Sequence, residues 1–243
     1  MIDKKYDTSI FLDDLKQLDI TLSEKQVEQF LRYYELLTEW NEKINLTAIT
    51  EYNDVMKKHF VDSLSLIKAI DLSKELKVID VGTGAGFPGL ALKIAFPNLS
   101  ITLLDSLNKR INFLNCVIEE LGLMDIRAYH GRAEDLAGRG DQRESYDLCV
   151  SRAVANLATL SEYCLPFVKL DGSFISYKSE KTEVEIHQAK NAITILGGSI
   201  EKQVEFLLPD SDIYRNFVII KKMKSTPKKY PRKAGLPSKD PIK

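Results

Sequence analysis

The chain has 243 residues, 44% hydrophobic and 28% charged, with 34 Lys or Arg against 35 Asp or Glu and a formal net charge of −1. This apolar content, with 12 Gly and 8 Pro, excludes intrinsic disorder and collagen-like repeats, and no apolar run approaches the roughly 18 residues of a membrane span. Near-neutrality argues against a nucleic-acid partner only on average, because residues 221–243 hold nine Lys or Arg and one Asp, a net of +8, while the other 220 residues carry a net of −9. Length suits one large domain with or without a small appendage. Residues 1–9 lack the apolar stretch of a signal peptide, and Cys116, Cys149 and Cys164 are an odd number at no metal-like spacing. Reduced thiols, a cytoplasmic location, no metal and no membrane are the expectation.

Residues 1–70 read as a helical extension. Ser23 and Gln26 form a capping-box pair ahead of Val27, Phe30, Leu31, Tyr34 and Leu37 at helical spacing. A second periodic stretch spans 54–69, with a connection over 41–50. From Leu76 the period changes. Strands are predicted at 77–81, 99–104, 126–130, 146–150 and 172–177, alternating with helices at 108–121, 156–165 and 180–196. This pattern implies a doubly wound, mainly parallel α/β sheet over residues 71–222. The last two strands, 200–207 and 214–222, are joined by six residues, too few for a parallel crossover, so that pair is antiparallel. An α/β Rossmann-like sheet closed by an antiparallel hairpin is the topology of class I methyltransferases that use S-adenosylmethionine. Residues 223–243 form a basic tail in which Arg, Lys, Tyr230 and four prolines interleave. That composition suits an extended segment tracking RNA phosphates, with Arg232, Lys233 and Lys239 as candidate RNA contacts.

The segment from Val78 to Gly89 supports two readings. Gly84, Gly86 and Gly89 fit a dinucleotide fingerprint, whereas Asp80 with Gly82, Gly84 and Gly86 fits the first motif of class I methyltransferases. A carboxylate two residues before the first glycine suits a ligand with an ammonium group and repels a pyrophosphate. The methyltransferase reading therefore makes Asp80, Gly82, Gly84 and Gly86 cofactor contacts. Asp105, closing the second strand, is placed to accept both ribose hydroxyls. The turn at 131–135, with Ala133 and Glu134, follows the third strand on the adenine side. After the fourth strand stand Ser151, Arg152 and Ala153, not the Asn/Asp-Pro-Pro-aromatic run of enzymes that methylate exocyclic amines. Among the histidines, His59 reads as a core or interface residue, His130 lies near the adenine side by position, and His187 reads as solvent-facing.

With these residues in view, the chain resembles the RsmG (GidB) family, bacterial enzymes that methylate N7 of one guanosine in small-subunit ribosomal RNA. The resemblance covers nearly the whole chain, through residues 45–49, 59–64, 80–90, 104–110, 151–153 and the tail motif at 232–241. It implies S-adenosylmethionine as cofactor and 16S ribosomal RNA as substrate, free or within the small ribosomal subunit or its precursor; no surface pattern demands a dimer, so a monomer is expected. Carried onto matching positions, the family's cofactor contacts fall on Gly82, Phe87, Asp105, Ser106, Leu107, Ala133, Glu134 and Arg152. One departure is Lys178-Ser179, where the family often has Lys-Gly.

Guanine N7 carries an in-plane lone pair and no proton, so transfer needs no general base. Positioning is the task left to the protein, and it is assigned to Arg152 and Lys178, for which a buried ion pair of Arg152 with Asp80 or Glu134 is the competing explanation. A nicotinamide-dependent oxidoreductase and a non-catalytic RNA-binding or ribosome-associated module are the other function classes to weigh.

Overall fold

The computed structural model describes residues 6–138, 140–152, 155–180 and 182–243; Ala153 lies outside them. The first elements are helices α1 (Ser9–Gln17) and α2 (Glu24–Ile44). Ser23 caps α2 as its sequence requires: its Oγ accepts from the Gln26 N–H, and the Gln26 side chain accepts from the Ser23 N–H. The stretch expected as one regular helix over 54–69 is instead a composite. It runs from α3 (Tyr52–Val55) through a π-helical turn (Met56–Val61) and α4 (Asp62–Leu64) into a 3₁₀ turn (Ser65–Lys68). Two features explain the irregularity. Residues 59–64 are all buried, so no amphipathic stripe fixes a single helical face. The hydroxyls of Ser63 and Ser65 also donate to the carbonyls of His59 and Asp62, in competition with the regular backbone ladder.

Seven strands follow: β1 (Lys77–Val81), β2 (Ser100–Asp105), β3 (Ile126–His130), β4 (Tyr146–Arg152), β5 (Val168–Lys178), β6 (Gly198–Leu207) and β7 (Tyr214–Lys222). They form one sheet in the order β3-β2-β1-β4-β5-β7-β6. The pairings β1–β2, β1–β4, β2–β3 and β4–β5 are parallel, and β7 lies antiparallel to both β5 and β6. The sheet is thus mainly parallel and closed by the expected hairpin, with β7 inserted beside β5. Helices α5 (Gly89–Ala95), α6 (Asn108–Glu120), α7 (Ala133–Ala137), α8 (Leu157–Cys164) and α9 (Glu183–Ile195) make the crossovers. Strand order reverses between β1 and β4, and in an open α/β sheet ligands bind beyond the carboxyl ends of the strands at such a switch point.

Alternate strand residues face opposite layers. Val78, Leu103 and Val150 point into a core shared with Phe30, Phe60, Leu90 and Phe113, so α2 and the π segment cover the same face as α5 and α6. Ile79, Leu104 and Cys149 point into the other core, with Leu136, Leu157 and Ile193. Tyr33, fully buried in the first layer, reaches from α2 to the turn after β1, where its hydroxyl donates to the Ala85 carbonyl at 2.5 Å. Tyr33→Phe leaves that carbonyl without this partner. The expected cost is about 1–3 kcal/mol, read as a lower urea midpoint at unchanged slope.

Candidate active site

The turn between β1 and α5 carries backbone that only glycine adopts without strain. Gly84 has φ +63° and a Cβ there would meet nothing within 4 Å, so this stretch of backbone stands open to an approaching ligand. Gly86 is the opposite case. Its φ is +97°, and a Cβ would lie 2.3 Å from Leu90 Cδ1 and 2.6 Å from the Tyr33 hydroxyl.

Two carboxylates shape this turn from below. Asp80 is fully buried; its Oδ2 accepts from Thr83 Oγ1 at 2.6 Å and from the Gly89 N–H at 2.9 Å, and Oδ1 has no partner among the described residues. Burial pushes its carboxyl up to about 6, against the pull of these two donors and of Arg152. The expectation that Asp80 meets a ligand ammonium directly is therefore corrected: it lies under the turn and holds the turn's shape. Asp105 accepts from the Gly84 N–H at 2.9 Å, the Leu107 N–H at 2.9 Å and Arg110 Nη1 at 3.1 Å. A carboxylate has about four acceptor positions, so about one remains, and taking both ribose hydroxyls requires one of these donors to yield.

A cavity of about 320 Å³ opens at the carboxyl ends of β1, β2 and β3, lined by Gly82, Asp105, Ser106, Ala133 and Glu134 of the expected contacts. Gly84, Gly86, Phe87 and Leu107 do not line it. Phe87 is instead stacked on His59, with ring centroids 4.5 Å apart, and on Tyr33. The open backbone at Gly84, the small residues and the acceptor at the end of β2 fit a nucleoside-bearing, cationic cofactor.

Arg152 belongs to a second, larger cavity of about 680 Å³ at the ends of β4 and β5, with Lys58, His59, Asp62, Lys178, Glu185 and Arg215 among its walls. Its partner is neither Asp80 nor Glu134. Nη1 donates to Asp62 Oδ2 at 2.9 Å, Nη2 meets His59 Nδ1 at 3.3 Å, and the guanidinium lies 5.0 Å from the Phe87 ring centroid. Asp62 is almost fully buried and also takes Arg215 Nε at 2.7 Å. Lys178 is anchored by Glu185 Oε1 at 2.7 Å, and the same oxygen accepts the Leu157 N–H. The structure thus brings Arg152 and Lys178 together, apart from the cavity of Asp105.

Residues 26–214 match the family model described as GidB, rRNA small subunit methyltransferase G. The chain belongs to this family. Full-length relatives agree: it is 54% identical to ribosomal RNA small subunit methyltransferase G of Lachnoclostridium phytofermentans, over 97% of this chain and 98% of that protein. It is also 54% identical to the protein of the same name from Alkaliphilus metalliredigens, over 96% and 98%. A SAM dependent methyltransferase from Aquifex aeolicus shares the fold, with a TM-score of 0.51 and 18% identity over 70% of this chain and 93% of that one.

For this GidB-family chain, sequence reasoning missed Asp62 and Arg215 and undervalued His59. Asp62 and His59 come from the π turn and its edge, and Arg215 from β7, so no spacing in the chain joins them to Arg152. Arginine has only donors, so His59 Nδ1 accepts, and Nε2–H then donates to Thr47 Oγ1 at 2.9 Å. Burial, with the neighbouring Arg152 charge, pushes the imidazole down to about 3. The folded state therefore holds His59 neutral, while the unfolded chain takes up a proton below about 6.5. Stability contributed this way is fully present above pH 6.5 and is lost as pH falls toward 3, on the order of a few kcal/mol. Asp80 runs the other way, since its raised value favours the fold as pH falls from about 6 through the usual carboxylate range. His59→Gln is expected to flatten the acid loss between pH 6.5 and 4 in denaturant titrations.

Proposed function

We propose that this protein transfers the methyl group of S-adenosylmethionine to N7 of one guanosine in 16S ribosomal RNA. Family membership supports an activity on small-subunit ribosomal RNA, and the chemistry of the larger cavity carries the acceptor. Four cationic side chains, Lys58, Arg152, Lys178 and Arg215, converge there, and its imidazole has both nitrogens engaged. Asp62, Glu180 and Glu185 also line the cavity, leaving a small cationic excess that suits a nucleotide, and among the described residues it holds no free imidazole to remove a proton, which suits an acceptor nitrogen that has none. The oxidoreductase and non-catalytic readings gain no support from family or fold.

Bound S-adenosylmethionine supplies a methyl group made electrophilic by its sulfonium. The protein's own residues bind and orient. Gly82, Gly84, Asp105, Ser106, Ala133 and Glu134 form the cofactor side. Asp80, Gly86 and Tyr33 keep the turn in shape behind them, Phe87 packs against it on His59 and Tyr33, and the Leu107 N–H holds Asp105. Arg152 is fixed by Asp62, His59 and Phe87, and among the described residues nothing accepts from its Nε–H or from one Nη2–H, which are left for the incoming nucleotide. Lys178 stands beside it, tied to Glu185. Orientation of this kind supplies up to about 7–11 kcal/mol of a barrier.

The division expected from sequence gains a functional sense in this reading. The helical extension, described from residue 6, frames the acceptor side through Lys58, His59 and Asp62, residues 71–222 supply most of both linings, and residues 223–243 border the cofactor side. The RNA contacts shift accordingly. Arg232 is held by Glu162 through its Nε, Nη2 and backbone N–H and is no free phosphate ligand, whereas Lys233 and Lys239 remain exposed.

Arg152→Ala is expected to slow methylation of small-subunit RNA about 100-fold in single-turnover assays, with S-adenosylhomocysteine binding retained. Unchanged turnover removes the orienting role. Replacing Lys233 and Lys239 by Ala should weaken RNA binding and reduce the slope of log K against log salt by about 1.4–1.8 units. Calorimetry with S-adenosylhomocysteine and NAD tests the cofactor, and binding of NAD alone overturns the proposal. Mapping the modified nucleotide in isolated small subunits and in naked RNA tests the acceptor and its state.

A further inference from the structure

The basic tail does not project from the body as an extended arm. After β7 it turns back across the α8 side of the sheet. Arg143 donates to the carbonyls of Thr226 and Tyr230, at 2.7 and 2.9 Å, and Glu144 accepts the Thr226 N–H. Arg232 then closes on Glu162 of α8. The guanidinium donates to both carboxylate oxygens, at distances from 2.7 to 3.1 Å, and the Arg232 N–H donates to Oε1 at 2.7 Å. Glu162 is 1% exposed, so its charge is tolerated there only with a partner of this kind.

Three residues beyond this pair the chain reaches the smaller cavity. The Gly235 N–H donates to Glu134 Oε1 at 2.8 Å, and Thr159 Oγ1 donates to the Pro237 carbonyl at 3.1 Å. Gly235 and Ser238 then line the cavity opposite Gly82, Asp105 and Ser106, with Tyr163 at their side. Gly235 has φ +83°, a conformation that a side chain would strain, and it precedes the short helix α10 (Leu236–Lys239).

We propose that residues 232–239 are part of the cofactor site: the Arg232–Glu162 pair latches this strap so that Gly235 and Ser238 form the outer wall of the pocket for the adenosyl group. The inference rests on the cofactor reading above and adds a role for the tail that composition assigned to RNA. In this arrangement Arg232 is a positioning residue. It acts through the strap, and the Gly235 N–H in turn orients Glu134 while leaving Oε2 for a ligand donor. The acidic body and basic tail then meet at the cofactor, and only the outward lysines of the tail remain for phosphate.

The test is calorimetric titration of S-adenosylhomocysteine into the full-length protein, Arg232→Met and Ser238→Trp, with unfolding of each measured in the absence of ligand. Arg232→Met is expected to raise Kd about tenfold, equivalent to ~1.4 kcal/mol, and Ser238→Trp, an exposed position, to change it at least as much with the fold intact. S-adenosylhomocysteine should also slow tryptic cleavage after Lys233 in the unsubstituted protein. If Arg232→Met does not fold, Ser238→Trp decides. Wild-type affinity in every folded variant, with no protection of the strap, overturns the proposal. Failure of the unsubstituted protein to bind S-adenosylhomocysteine overturns the cofactor reading itself.

Discussion

Ligand access on the cofactor side depends on one short stretch of backbone, the glycine turn between β1 and α5, being held in a single shape. Glycines permit its conformation but do not select it, because residues without side chains have the most freedom to lose. Selection comes from three neighbours: Asp80 beneath, taking the Thr83 hydroxyl and Gly89 N–H; Asp105 beside it, taking the Gly84 N–H; and Tyr33 above, donating to Ala85. Two of the three are buried carboxylates, and one is kept in the fold although burial raises its pKa to about 6. The acidic residues of this turn are first its framework, and ligand binding follows from that framework.

The same economy of parts links the two cavities. Phe87, at the end of the glycine turn, stacks on His59, and His59 in turn accepts from Arg152 in the larger cavity. Asp62 fixes both Arg152 and Arg215, and Tyr177 ties β5 to the Ser63 carbonyl. The turn and the larger cavity are thus joined by packed rings and a buried ion-pair network. Neutral His59 is a condition of this arrangement, since a protonated imidazole cannot accept from a guanidinium.

The near-zero net charge of the chain results from two unlike regions whose placement matters more than their sum. Carboxylates of the body lie under and around the cofactor cavity. The tail's charges divide: Arg232 neutralises buried Glu162, whereas Lys228, Lys229, Lys233 and Lys239 face solvent. The second cationic group, Lys58, Arg152, Lys178 and Arg215, arises from four separate elements of the chain and is invisible to composition.

What the sequence by itself determined is whatever has a local cause. The capping box of α2, the alternation of strands and helices, the antiparallel final hairpin, and the glycine turn with its flanking acids could all be read from short-range spacing. Family motifs added the cofactor and the acceptor atom. Tertiary structure alone decided the rest. It placed Asp80 under the turn, paired Arg152 with Asp62, broke the 54–69 helix with a π turn, and folded Arg232 onto Glu162. The two ion pairs join residues 90 and 70 positions apart, and Arg215 meets Asp62 across 153 positions and Gly235 meets Glu134 across 101, whereas Asp80 and the π turn are set by burial together with near neighbours. Local periodicity carries no information about such pairs, because burial and charge neutralisation in the folded chain select them.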